Sequence, residues 1–257
     1  MSLLVWLPLN GDLKNYGLSN AKFSLQNGTN GLTFSSTNGK ISSGMCRRTV
    51  VNTSDHIKSD IKFKLDKDFS MACWCKATTP GAVDSANGIL TNHNHSDNSG
   101  AGITLKYISA TDCRISCNTG DGSSRTYYTY YGTTNIYGAW HHLCLTYNKA
   151  TTTYKLYVNG ICEKTFTYGN LAKENQFNLF DWSVGYSSSA NYRPVCDLND
   201  VRLYDHCLSN KEVEELSKGL IAHYPLRGRI NNNLITVMST GARTTQNGKH
   251  GLNADFS

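Results

Sequence analysis

The sequence predicts an all-β fold, a two-sheet antiparallel β-sandwich with one short helix near 210–218. Three observations predict it. Apolar residues recur at period two in run after run, polar turns rich in Asn-Gly separate the runs, and a single stretch carries the start and stop signals of a helix. With 257 residues, 39% hydrophobic and 11% aromatic, the chain can bury one sizeable core. Its 22 glycines against 4 prolines suit many strands joined by tight turns.

Taken in order, Leu3-Leu4-Val5-Trp6-Leu7-Pro8-Leu9 reads as a strand running into an Asn10-Gly11 turn, and Pro8 marks an edge or the strand's end. Phe23 to Ile41 carries Asn27-Gly28, Asn30-Gly31 and Asn38-Gly39, each a turn between short strands. Ile61-Lys62-Phe63-Lys64-Leu65 alternates and stops at Asp66-Lys67-Asp68, before a strand that begins at Phe69. Gly88-Ile89-Leu90-Thr91 and Gly102-Ile103-Thr104-Leu105-Lys106-Tyr107 flank a polar loop, and Cys113 to Cys117 pairs with Arg125 to Tyr131 across Asn118 to Ser124.

The plainest hairpin joins Trp140-His141-His142-Leu143-Cys144-Leu145-Thr146-Tyr147 to Tyr154-Lys155-Leu156-Tyr157-Val158. Leu143, Leu145 and Tyr147 share one face, as do Tyr154, Leu156 and Val158. Asn159-Gly160 tolerates the positive φ of a tight turn, so a third strand should start near Ile161. Near the end of this region, Ser209 with Glu212 makes a capping box, Leu208 and Val213 a hydrophobic staple, and Gly219 a C-terminal stop. Val213 and Leu216 would seat that helix on the sandwich.

The hairpin wording resembles the laminin-G-like jelly-roll modules of the concanavalin A-like lectin/glucanase superfamily. Three further segments resemble that family in the expected order: Phe69-Ser70-Met71-Ala72-Cys73-Trp74-Cys75-Lys76, Leu198-Asn199-Asp200-Val201-Arg202-Leu203-Tyr204-Asp205, and the helix start Leu208-Ser209-Asn210-Lys211-Glu212-Val213. The resemblance covers roughly residues 1–220 and implies a jelly roll. The superfamily binds, cleaves or scaffolds, so fold alone does not choose among these.

After residue 220 the chain repeats itself. Pro225-Leu226-x-Gly228 and Gln246-Asn247-Gly248 to Leu252 echo Pro8-Leu9-x-Gly11 and Gln26-Asn27-Gly28 to Leu32, so residues 221–257 read as the opening strands of a second, incomplete repeat. A stub of that length needs either a longer tandem protein or a neighbouring subunit in a homo-oligomer. Tandem modules of this kind resemble those of bacteriophage structural proteins, which implies a virion surface.

Composition excludes several classes. A net charge of +6 is mild and scattered, with no basic helix, so nucleic acid is not expected as a partner. The amino terminus lacks a basic leader and no long apolar run occurs, so neither a signal peptide nor membrane insertion is expected, and synthesis belongs in the cytoplasm. The nine cysteines fall mostly in apolar strand patterns without a Cys-x-x-Cys pair and read as reduced, buried thiols.

For chemistry, glycan hydrolysis needs two carboxylates flanking the bond, which the family's hydrolases place in a Glu-x-Asp-x-x-Glu strand. Here the glutamates are Glu163, Glu174, Glu212, Glu214 and Glu215, none of them in that motif, so no catalytic residue is assigned and the chain is not expected to be an enzyme. Glycan binding needs an aromatic face and hydrogen-bonding groups. Arg125, Tyr128, Tyr130, Trp182, Tyr186 and Tyr192 are the candidates. Oxygen donors for calcium would come from Asp97, Asp197, Asn199 and Asp200, and His93-x-His95 offers two nitrogens to zinc without a located third ligand. His141 and His142 belong to the family hairpin and read as packed. The sequence therefore predicts a lectin-like module recognising surface glycan, with a structural or decoration protein that contacts other virion proteins as the alternative.

Overall fold

The computed structural model describes residues 2–26, 31–41, 44–50, 54–170, 173–181 and 192–219, apart from the side chains of 127–129, and the backbone of two strands at 243–248 and 251–256. Residues 1–219 form one compact unit and residues 220–257 another. In chain order the first unit contains β1 (Leu3–Leu7), β2 (Phe23–Gln26), β3 (Leu32–Ser35), β4 (Met45–Arg48), β5 (His56–Lys64), β6 (Phe69–Thr79), β7 (Ala86–Thr91) and β8 (Ala101–Tyr107). There follow β9 (Cys113–Gly120), β10 (Arg125–Tyr131), β11 (Trp140–Asn148), β12 (Thr153–Val158), β13 (Ile161–Thr167), β14 (Glu174–Leu179), β15 (Val195–Tyr204) and the helix α1 (Asn210–Ser217).

These strands make two antiparallel sheets packed face to face. The first runs β13-β12-β11-β6-β15-β4-β3, with β1 also paired to β15, and the second runs β10-β9-β8-β7-β14-β5-β2. The predicted hairpin lies in the first sheet, in register Leu143↔Val158, Leu145↔Leu156 and Tyr147↔Tyr154. All six side chains are buried, and β6 completes the layer by pairing Cys73, Met71 and Phe69 with the same three positions of β11. Burying a large apolar side chain contributes roughly 1.5–3 kcal/mol, so this layer anchors the core. Asn159 and Gly160 both take positive φ, 51° and 85°, and β13 starts at Ile161 as expected. A Cβ on Gly160 would stand 2.6 Å from Ser217 Oγ, so the turn also requires glycine in order to lie under α1.

The capping box forms as read. Ser209 Oγ accepts the Glu212 amide at 3.3 Å and Glu212 Oε2 accepts the Ser209 amide at 2.7 Å. Leu208 and Val213 pack with Ala72, Cys144, Tyr157 and Tyr204, which line the outward side of the first sheet. The helix therefore covers an apolar outer face. On the second sheet, Ile103, Leu105, Ile115 and Cys117 point into the core, so Thr104, Ser116 and Asn118 lie on the opposite face, where they too are buried. Thr104 and Ser116 hydroxyls bond each other at 2.7 Å.

Some elements depart from the sequence reading. β14 has only Phe177 and Leu179 as apolar residues, and it is a strand because β5 and β7 pair with it on either side. Arg48, in β4, is fully buried and donates to the Asp55 carbonyl. All nine cysteines are free thiols; Cys162 is exposed, Cys207 half-buried and the rest buried. Burial pushes the pKa of thiols such as Cys73 and Cys144 far up, which makes them inert. Among the described residues no helix is long and apolar enough to cross a membrane. In the second unit, β16 (Arg243–Gly248) and β17 (Gly251–Phe256) pair with each other, whereas β2 and β3, which carry the matching wording, join different sheets.

Candidate functional site

The polar loop between β7 and β8 is built to hold a fixed shape. Asn92 Nδ2 pins its base by donating to the Asn175 carbonyl at 2.8 Å and the Phe63 carbonyl at 3.2 Å. Asn94 and Ser99 then close the loop by exchanging backbone bonds, and Asn94 Oδ1 accepts the Ser96 amide at 2.9 Å. The turn from β9 to β10 docks beside it through the Gly122 amide, 3.0 Å from the Asn98 carbonyl. Any side chain at Gly120 would collide with that same carbonyl, so the close approach needs glycine. Asp121 shapes the turn by accepting the Ser124 and Ser123 amides, and these bonds hold its carboxyl down at about 2.

This docking carries Arg125, the first residue of β10, to the loop. Its Nη1 lies 3.3 Å from His95 Nε2 and 3.4 Å from Asn98 Oδ1, with all three residues partly exposed. Burial, then the Arg125 charge, lower the pKa of His95. His93 lies beneath and is fully buried; burial first, then Arg125 and His95 against the opposing pull of Asp97, bring it down to about 3. It is neutral at pH 7. Burial opposes ionisation of Asp97, yet bonds from Ser99 and from Lys173, 3.1 Å away, outweigh it and keep the carboxyl below its ordinary value. At the edge, Tyr168 and Ser124 share a hydroxyl bond of 2.8 Å. The cluster thus offers a guanidinium, an imidazole and an amide whose mutual contacts sit at the long end of hydrogen bonding, where ligand hydroxyls can replace them.

The other sequence-read residues fall elsewhere. Tyr130 stacks on Phe166 at 4.3 Å and 7°, and Phe166 on Tyr154 at 5.2 Å, so its ring extends an aromatic column of the core. β10 shifts register against β9 between Tyr127 and Tyr131, which pair with Asn118 and Ser116 on the outer face, so alternation turns Tyr130 inward. The Tyr128 side chain, Trp182 and Tyr186 lie outside the described residues, and Tyr192 is half-buried.

The oxygens read for calcium on β15 have protein partners. Asp197 takes Arg47 through both oxygens at 2.6 and 2.9 Å. Asn199 Oδ1 accepts the Lys40 and Ile41 amides while its Nδ2 donates to the Pro8 and Gly44 carbonyls. Asp200 accepts Trp6 Nε1 at 2.7 Å and pairs with Arg202 at 3.0 Å. Among the described residues, no three His, Cys, Asp or Glu side chains gather where an ion could be held. His142 is buried against Trp74, their rings 5.6 Å apart, and Asn159 Nδ2 donates to His141 Nδ1 at 3.0 Å. Asn98 belongs to the polar loop legible in the sequence, where it and Gly100 take positive φ, whereas Lys173 carries no sequence signal of its place beside Asp97.

The family model described as the concanavalin A-like lectin/glucanases superfamily, of laminin G type, matches residues 51–214, more than half of the chain. The chain belongs to that superfamily. Among solved structures, the superfamily sandwich seen here is similar to the binding domain of Paraclostridial mosquitocidal protein 1, with a TM-score of 0.60 and 16% identity over 84% of this chain and 52% of that one. It is also similar to the receptor-binding domain of botulinum neurotoxin type G (TM-score 0.59, 14% identity, 85% and 51% covered) and the binding domain of serotype D (0.59, 16%, 85% and 52%). The chain spans about half the length of these domains, and at such identities the likeness concerns the fold. No curated protein sequence matches the chain.

Proposed function

We propose that this chain is a non-enzymatic, lectin-like module that binds surface glycan through the loop end of its second sheet. The observation that carries the reading is the meeting of Arg125, His95 and Asn98 on a braced, solvent-reached loop pair. Guanidinium, amide and imidazole groups hydrogen-bond sugar hydroxyls, and a rigid loop lowers the ordering cost of binding. Membership of the concanavalin A-like lectin/glucanase superfamily and likeness to domains named for binding and receptor binding support the binding part. The non-enzymatic part is supported by the glutamates: Glu163 accepts the Thr133 and Thr134 amides, and Glu212 caps α1. A bacteriophage tail or fibre is the setting we assign, with residues 221–257 as the start of a second repeat. That setting rests on the sequence wording.

A glycan array on the full chain, with and without calcium, tests the reading. Binding that Arg125→Ala removes while the fold survives supports it. Silence across bacterial and host glycans moves the assignment to a virion scaffold, which Ile161 favours, being 70% exposed at the start of edge strand β13. Depolymerisation of a polysaccharide would overturn the non-enzymatic part.

A further inference from the structure

The segment from Leu13 to Phe23 lines an open cleft of about 440 Å³ on the side of the molecule where the second sheet ends in β5 and β2. That volume falls within the roughly 300–1,000 Å³ of small-ligand sites. Ala21 and Phe23, 3% and 9% exposed, lie in its floor, and Lys14 and Lys22 are among the residues that line it. No carboxylate lines it. The nearby acids are held by backbone amides: Asp12 accepts the Lys14 amide at 3.1 Å and Asp60 accepts the Lys22 amide at 2.8 Å. Neither ammonium stands in an ion pair among the described residues. Lys14 Nζ lies 4.8 Å from the ring centre of Tyr16, itself 48% exposed.

The cleft is preformed. Asn15 Oδ1 accepts the Trp6 and Gly17 amides at 3.0 and 2.9 Å, and its Nδ2 donates to the Ser19 and Ala21 carbonyls at 3.0 and 3.3 Å. The backbone is further zipped to β1 by Tyr16 to Trp6, Leu18 to Leu3 and Ser19 to Leu4. Two lysines outside the ion pairs of the described residues suit an anionic ligand, and, resting on the saccharide reading proposed above, a uronic acid supplies that anion on a sugar. We infer that this cleft is a second binding site, specific for acidic, uronic-acid-type saccharides. It shares no residue with the Arg125 cluster, and β14 and β5 stand between it and β7 in the sheet order.

The test is an NMR titration of the isotope-labelled full chain with digalacturonate, with its methyl ester as the neutral control. The acid should shift amides of the Leu13–Phe23 segment, weaken with added salt, and bind about tenfold less well to Lys14→Gln/Lys22→Gln, a loss of about 1.4 kcal/mol. The ester should show the same loss, and Arg125→Ala should leave the affinity unchanged. Equal binding of acid and ester, full affinity in the double variant, or unmoved 13–23 amides at millimolar acid would each overturn the inference. Loss of binding in Arg125→Ala alone would also overturn it while supporting the first site, so the two proposals fail separately.

Discussion

On β15, Asp197, Asn199 and Asp200 are at most 7% exposed, and their oxygens meet donors at 2.6–3.1 Å. Between β7 and β8, Asn94, His95, Asp97 and Asn98 are partly exposed, and Arg125 reaches two of them only at 3.3 and 3.4 Å. Both stretches are rich in Asn and Asp, and both invite a ligand on composition. Their difference is burial and bond length. A buried side chain with every lone pair engaged is a strut, because displacing any partner costs the full desolvation of the group left behind. A braced surface loop with long contacts keeps its shape and can still trade those contacts for a ligand's.

The contrast can be broken most sharply at Asn199. Asn199→Ala strands two amides and two carbonyls from three distant segments, so unfolding in urea should show a loss of about 3–5 kcal/mol. A loss below about 1 kcal/mol would mean that β15 is not the strut described here. Next in size is the acid response of the buried histidines. His142, which stands opposite Trp74 in the sheet beside Asn199, and His93, beneath the loop, both sit at about 3, chiefly through burial, against an ordinary 6.5. A histidine lowered in the fold binds its proton on unfolding, so the stability is fully present above 6.5 and is lost as pH falls from 6.5 toward 3. Each should add up to about 1.4 kcal/mol per pH unit to the slope. Urea midpoints measured between pH 7 and 4 should decline, and His142→Gln should flatten the decline; an unchanged slope would place its proton elsewhere.

Asp197→Asn should cost less, about 1–2 kcal/mol in the same assay, because Arg47 is nearly half exposed and water can take over its charge. The smallest effect belongs to the loop. Arg125→Ala and Asn98→Gly, which keeps the positive φ of Asn98, should shift stability by no more than about 0.5 kcal/mol while abolishing any glycan signal. If either unfolds the chain, the loop is a strut as well and the distinction collapses.

The legible parts of the fold are the local ones. Period-two runs placed the β11–β12 hairpin in its observed register, Asn159-Gly160 turned where a double positive φ was required, and Ser209 and Glu212 closed the capping box. β14 was not legible, because its polar residues become a strand only between β5 and β7. Of the candidate site, Arg125 and the polar loop were visible separately, as a strand start and a run of donors. Their meeting depends on the Gly122 amide reaching Asn98 across the sheet end. Tyr130 carries no local mark of which face of β10 turns inward, and its ring stacks on Phe166 in the core.

By itself the sequence determined the fold class, the central hairpin, the helix with its caps and the free, mostly buried cysteines, since each follows from patterns a few residues long that act through φ, side-chain alternation and apolar burial. Which polar groups are struts and which remain open to a ligand was decided only in three dimensions. Asn199 is satisfied by Pro8, Lys40, Ile41 and Gly44, and Asp200 by Trp6, partners brought from the far end of the chain. A hydrogen bond depends on distance in space, and no local pattern records which remote carbonyl or amide will arrive.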